Sequence, residues 1–179
     1  GTRRIMKQTA RFSVLNSTVL KTGGTVKTLV LYDSYFGNTE KVARAIGAAM
    51  AESHQVETRR VSEADPKQLD GIELLIVGSP TRAFQATKAA TQFIQNIPRK
   101  ALEHVRVAAF DTRIEVTEDH PKFLKGMVKT FGYAAEPLAK KLEKKGGVLA
   151  APAEGFFVDD TEGPVTEGEL ERAAAWARK

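Results

Sequence analysis

Cysteine is absent from this 179-residue chain, which excludes a disulfide framework, a thiolate nucleophile and a thiolate-bound iron-sulfur cluster. Histidine is nearly as scarce: His54, His104 and His120 are the three present, and they lack the spacing of metal ligands. No metal site is therefore expected. No run approaches the ~20 apolar residues needed to cross a bilayer, and no charged start with an apolar block and a small-residue cleavage site resembles a secretory signal. The expectation is a soluble, cytoplasmic protein. Two phosphate-binding signatures are also missing. No G-x-G-x-x-G follows the first apolar strand and no G-x-x-x-x-G-K-[ST] occurs anywhere, which makes dinucleotide and nucleoside-triphosphate readings weak.

Acidic residues are missing from residues 1–25, where Arg3, Arg4, Lys7, Arg11 and Lys21 supply the whole formal net charge of +5. The rest of the chain is balanced, so the basic excess belongs to this leader and gives no reason to expect a nucleic-acid or membrane partner. The leader is Ser/Thr-rich and reads as a flexible basic segment or one carried over from cloning. Residues 26–179 have the length of one ordinary domain.

Within that domain, short β-rich runs alternate with helical periods. The runs are TLVLY, QVETRRV near 55–61, IELLIVGS near 72–79, VRVAAF at 105–110, and GVLAA at 147–151 continuing through GFFV at 155–158. They make five strands. Apolar residues at helical steps lie between them: Val42, Ala45, Ile46, Ala49 and Met50; Ala90, Phe93, Ile94 and Ile97; then Leu124, Met127, Val128, Phe131, Leu138 and Leu142, with a break expected at Gly132. Thr166 and Glu169 have the spacing of a capping box opening the last helix. Only SEADPKQLDG separates strands two and three, leaving room for a turn or two of helix. Continuous apolar strands alternating with helices imply right-handed crossovers and a doubly wound, five-stranded parallel sheet with helices on both faces.

The stretch YDSYFGNTE at 32–40 falls where strand one gives way to a helix. In an open parallel sheet ligands bind at the carboxyl ends of the strands. A helix starting near Asn38 aims free backbone amides at the loop, Gly37 permits close approach, and Ser34 and Thr39 add hydroxyl donors. A phosphate group is satisfied by such a set. The plainer alternative is that Asn38 or Thr39 only caps the helix. A response-regulator receiver, which shares the strand order, needs an acidic pair after strand one and an Asp ending strand three, but strand three here ends in Gly78-Ser79-Pro80.

The run YDSYFGNTEKVARAI resembles the first loop of the flavodoxin family, roughly [TS]-x-[TS]-G-x-T after a strand. GSPTRAF after strand three and FDTR after strand four stand where that family holds the isoalloxazine, and the likeness extends over about residues 27–178. It implies a flavodoxin-like fold with strand order 2-1-3-4-5 and FMN as cofactor. By that resemblance Ser34, Tyr35, Phe36, Gly37, Asn38 and Thr39 form the first, phosphate-binding loop. Pro80, Thr81, Arg82, Ala83 and Phe84 meet one side of the ring, and Asp111, Thr112 and Arg113 the other. Phe36 stands where the family prefers a hydroxyl, so it either shields the phosphate or packs against the sheet. The third loop has no Tyr or Trp for a two-sided aromatic sandwich. TRAFQAT, residues 81–87, has no Gly, so a positive-φ turn at Ala83 or Phe84 would cost about 1 kcal/mol.

None of Ser79, Asp111 or His120 forms a nucleophile-base-orienter set, and no catalytic residue is expected. The implied function is an FMN-binding redox protein that carries electrons between partner proteins or accepts hydride from NAD(P)H. In the latter case it is an FMN-dependent NAD(P)H oxidoreductase. A flavodoxin-like module without flavin, acting as a binding or regulatory domain, is the rival reading.

Overall fold

The computed structural model describes residues 25–179; the expected leader lies outside the described residues except for Thr25. Strand β1 (Val26–Tyr32) leads to helix α1 (Asn38–Met50), then β2 (His54–Arg60), β3 (Leu74–Pro80), α2 (Lys88–Asn96), β4 (Arg106–Ile114), α3 (Lys122–Phe131), α4 (Ala135–Lys144), β5 (Val148–Leu149), β6 (Glu154–Val158) and α5 (Glu169–Ala177). The connection between β2 and β3 contains one 3₁₀ turn, Val61–Glu63. All the strand pairings are parallel, in the order β2-β1-β3-β4-β5, with β6 also on β4. The expected fifth strand is thus interrupted. Val148–Leu149 pairs with the start of β4 and Glu154–Val158 with its end, and the segment between them makes no ladder.

The period-2 alternation of the strands divides the core between two layers. Leu29 and Leu31 of β1 face the side covered by α2 and α4, with Phe93, Ile94, Leu138 and Leu142. Val30 and Tyr32 face α1 and α5, with Val42, Ile46, Phe110, Phe156 and Ala173. Phe110 and Phe156 are fully buried and meet Trp176 edge-on, so the single Trp packs against the sheet. Each such large apolar side chain contributes roughly 1.5–3 kcal/mol by burial. Gly78 is required in β3 because the Phe110 ring of the neighbouring strand lies over it: a Cβ there would stand 2.0 Å from Phe110 Cζ.

The break expected at Gly132 is present, with φ 69°, and separates α3 from α4. The capping box at Thr166 is not. Helix α5 starts later, from Gly168 at φ 86° with no side-chain cap. The Thr166 hydroxyl instead donates to Asp159 Oδ1 (2.7 Å), while Glu169 accepts from the Phe157 amide (2.8 Å) and pairs with Arg172. Glu169 therefore fastens α5 to β6 rather than closing its own helix.

Candidate functional site

The carboxyl ends of β1, β3, β4 and β6 meet at one rim of the sheet, and a cavity of about 340 Å³ opens there. Its walls come from four stretches of chain. Ser34, Tyr35 and Phe36 follow β1, and Asn38 and Thr39 open α1; Pro80 ends β3 and Thr81, Arg82 and Ala83 follow it; Thr112, Arg113 and Ile114 end β4; and Val158 and Thr161 come from the β6 side. Of the residues expected here from sequence, Gly37, Phe84 and Asp111 do not line this cavity, whereas Ile114, Val158 and Thr161 do without having been expected.

Residues 33–37 turn through a short hydrogen-bonded knot. Asp33 Oδ1 accepts from the Ser34 amide (2.9 Å), and Ser34 Oγ accepts from the Gly37 amide (3.0 Å). Gly37, at φ 90°, precedes α1 and supplies no side-chain cap, while Asn38 and Thr39 lie inside the helix. Neither residue is therefore the cap that the plainer reading required. The first helical amides face the loop without a capping side chain, an arrangement that attracts an anion. Ser34 and Thr39 are buried against this point. Thr39 Oγ1 and Thr112 Oγ1 stand 2.7 Å apart and tie the start of α1 to the end of β4. One proton makes that bond and the pair retains a second to donate elsewhere.

Arg60, at the end of β2, is the functional side chain most easily missed from sequence. The register of the sheet sets it beside Tyr32. From there its Nη1 donates to Ser34 O (2.8 Å) and lies 3.5 Å from Asp33 Oδ1, with Nη2 3.7 Å from Glu40 Oε2. Glu40 also accepts from Arg44, and that guanidinium, followed by the Tyr32 hydroxyl, holds its carboxyl below the ordinary value of 4.5. The acidic groups beside the loop are thereby matched with cations, so their charge does not oppose an anion at the helix start.

The second loop is fixed at both ends. The Thr81 amide donates to Thr112 O (2.9 Å) and the Thr87 amide to the buried Ser79 Oγ (2.9 Å). Between them Arg82 and Gln85 exchange backbone hydrogen bonds of 2.8 and 2.9 Å around Ala83 (φ 46°) and Phe84 (φ 66°). The chain thus adopts, without glycine, the doubly left-handed turn typical of two-residue hairpins, at a strain of about 1 kcal/mol or more per residue. The Arg82 guanidinium lies 5.1 Å from the Tyr35 ring centroid and 5.6 Å from that of Phe36. Both rings are exposed, so Phe36 stands on the cavity rim and does not pack against the sheet.

Residues 110–113, expected on a third loop, lie within β4, which runs on to Ile114, and Asp111 there is fully buried and turned away from the cavity. It binds the Arg113 guanidinium through both oxygens (2.6 and 2.7 Å) and accepts from the Ala135 amide (2.9 Å), capping α4 from outside that helix. Burial raises its pKa against the opposing pull of Arg113. Arg113 also lies 3.7 Å from the Tyr133 ring centroid, so its guanidinium is held between an ion pair and a ring while the residue lines the cavity. Thr81 Oγ1 accepts from the Ala134 amide (3.1 Å). The start of α4 is thereby fastened to both the second loop and the end of β4. Among the described residues no helix is long and apolar enough to cross a membrane, and no group of three His, Asp or Glu could hold a metal.

A family model for the flavodoxin domain matches residues 29–153. No curated protein is similar enough to match. Among solved structures, a flavodoxin from the domain Archaea superposes with a TM-score of 0.66 at 20% identity, covering 85% of this chain and 94% of that one. Flavodoxin 1 from Bacillus cereus gives 0.67 at 17% identity, covering 85% and 95%. The rubredoxin oxygen:oxidoreductase of Desulfovibrio gigas gives 0.54 at 20% identity, covering 85% of this chain but 34% of that larger one. With a family match over most of the described residues and a sheet ordered 2-1-3-4-5, the chain belongs to the flavodoxin family.

Proposed function

We propose that the protein binds FMN in the cavity at the sheet's carboxyl rim and serves as a redox protein. The observation that carries this reading is the start of α1: uncapped, preceded by Gly37 at φ 90°, and opening on a cavity lined by Ser34, Asn38 and Thr39. Backbone amides, hydroxyls and an asparagine are the donor set a phosphate monoester requires. The cavity then continues between the Pro80–Ala83 segment and Thr112–Arg113, a slot whose two walls suit a flat ring with one polar edge. The residues fit the cofactor. Ser34, Asn38, Thr39 and the first-turn amides would hold the phosphate; Pro80, Thr81, Arg82 and Ala83 would flank the ring opposite Thr112 and Arg113. When bound, FMN supplies reversible electron or hydride transfer, and the protein itself needs no catalytic side chain.

Each remaining residue has a supporting part. Arg60 holds the phosphate loop by its Ser34 carbonyl. Asp111 fixes Arg113 by a bidentate ion pair, which holds that stretch of β4 rigid beside the ring slot. Arg82, spread over Tyr35 and Phe36, bridges the first and second loops at the rim. Electron delivery to a partner protein and hydride acceptance from NAD(P)H are the two uses of such a site. The test is reconstitution. The purified chain mixed with equimolar FMN is expected to bind one flavin and quench its fluorescence, and absence of binding at micromolar protein leaves the flavin-free regulatory module as the reading. Anaerobic mixing of the FMN form with NADPH or NADH then separates reductase from carrier by whether the flavin is bleached directly.

A further inference from the structure

A second cavity, of about 600 Å³, lies on the other side of the Arg82–Gln85 turn, between the second loop and helices α2, α3 and α4. Ala83 lines both cavities. The second is walled chiefly by Phe84, Met127, Phe131, Pro137 and Leu138, and Lys141 is the only charged residue on its lining. Two features set it apart from an incidental surface groove. The strained turn holds the Phe84 ring against Phe131, with centroids 5.9 Å apart and planes tilted by 34°. Helix α3 buries none of its ten residues, and Met127 and Phe131 are exposed at the cavity mouth. The helix consequently contributes an apolar wall to the cavity and almost nothing to the core.

We propose that this cavity binds an aromatic small molecule bearing one anionic group, with its ring system against Phe84 and Phe131 and its carboxylate or sulfonate at Lys141. The volume is that of a site for a small organic ligand, and an apolar lining with one polar anchor is how such sites set orientation. Aromatic rings in tilted contact offer both faces and edges to a third ring. A single cation in an otherwise uncharged lining matches one negative charge and no more. The shared Ala83 sets such a ligand directly beside the cavity assigned to FMN, yet the proposal needs no flavin to be tested.

The probe is 8-anilinonaphthalene-1-sulfonate, titrated into the flavin-free full chain and followed by its fluorescence and by calorimetry. One equivalent is expected to bind with a micromolar Kd. Phe131→Ser and Lys141→Glu should each weaken binding at least about tenfold. Phe123→Ser, which removes an equally exposed aromatic of α3 that does not line the cavity, should leave it unchanged. Melting temperatures of all three variants near that of the parent confirm that the fold is intact. Non-saturable binding, equal loss in Phe123→Ser, or indifference to Lys141→Glu overturns the proposal, as does a probe-independent dimer that shields Phe131 in sedimentation. FMN titrations of the same variants distinguish the two sites: the flavin Kd should not move with Phe131→Ser, and a chain that binds the probe but not FMN refutes the flavin reading alone.

Discussion

Replacing Thr112 with valine isolates the tether between the start of α1 and the end of β4. The Thr39 and Thr112 hydroxyl oxygens are 2.7 Å apart and both side chains are buried. Valine preserves the shape of threonine but leaves the buried Thr39 hydroxyl without its protein partner, which costs up to about 1–3 kcal/mol. For a domain of this size that corresponds to a fall in Tm of roughly 2–12 °C. Thr39→Val should cost a similar amount for the same reason. Removing both hydroxyls leaves nothing unsatisfied, so the double variant should lose less than the sum of the two singles, with a coupling of about 1 kcal/mol or more. Chemical denaturation of the four proteins measures the cycle. FMN titration then separates the roles: Thr39→Val removes a donor to a charged group and should weaken binding roughly tenfold to a hundredfold, at about 1.5–3 kcal/mol, and Thr112→Val should weaken it less. Strictly additive stabilities would refute the tether, and an unchanged FMN curve for Thr39→Val would remove that hydroxyl from the phosphate site.

Ala83→Gly relieves about 1–2 kcal/mol of left-handed strain at φ 46° against about 0.4–1 kcal/mol of added unfolded-chain entropy, so Tm is expected to hold or rise by up to about 4 °C; a fall of several degrees would contradict the strain. Glu169 provides a pH dependence. Its hydrogen bonds from Arg172 and the Phe157 amide hold its folded pKa below the ordinary 4.5, so its stabilisation is complete above that value and is lost as pH falls through the folded pKa. The Tm difference between parent and Glu169→Gln should therefore shrink on acidification below pH 4.5, and a constant difference would contradict the assignment.

The sheet was legible because TLVLY, IELLIV and VRVAAF carry the continuous apolar pattern of strands covered on both faces, and β1 does send alternate residues into two separate cores. The fifth strand was harder: the Ala150 amide still donates to Val107 O (2.8 Å), but Pro152 has no amide proton to give, and pairing with β4 resumes only at Glu154. The loop after β1 was readable from Ser34, Gly37 and Thr39, since hydroxyls, glycine and a helix start coincide there in one local stretch. Contributions from distant segments were not. Arg60 reaches Ser34 only through the register that sets it beside Tyr32, and Thr161 enters the cavity only because β6 lies on β4. Direction was also hidden. Phe84 belongs to the second cavity because two residues take positive φ without glycine, and Asp111 turns inward because the α4 amide at Ala135 needs a partner. The Thr166–Glu169 spacing misled for the same reason: Asp159 and the Phe157 amide, both from tertiary neighbours, took the two side chains.

The central claim is that residues 34–39 and the start of α1 bind a phosphate. Parallel titrations of the flavin-free chain with FMN and with riboflavin test it most directly, because the two ligands share the ring and differ in that group alone. Several charge-assisted hydrogen bonds at about 1.5–3 kcal/mol each predict that FMN binds at least about a hundredfold more tightly. Equal affinities for the two flavins would contradict the claim.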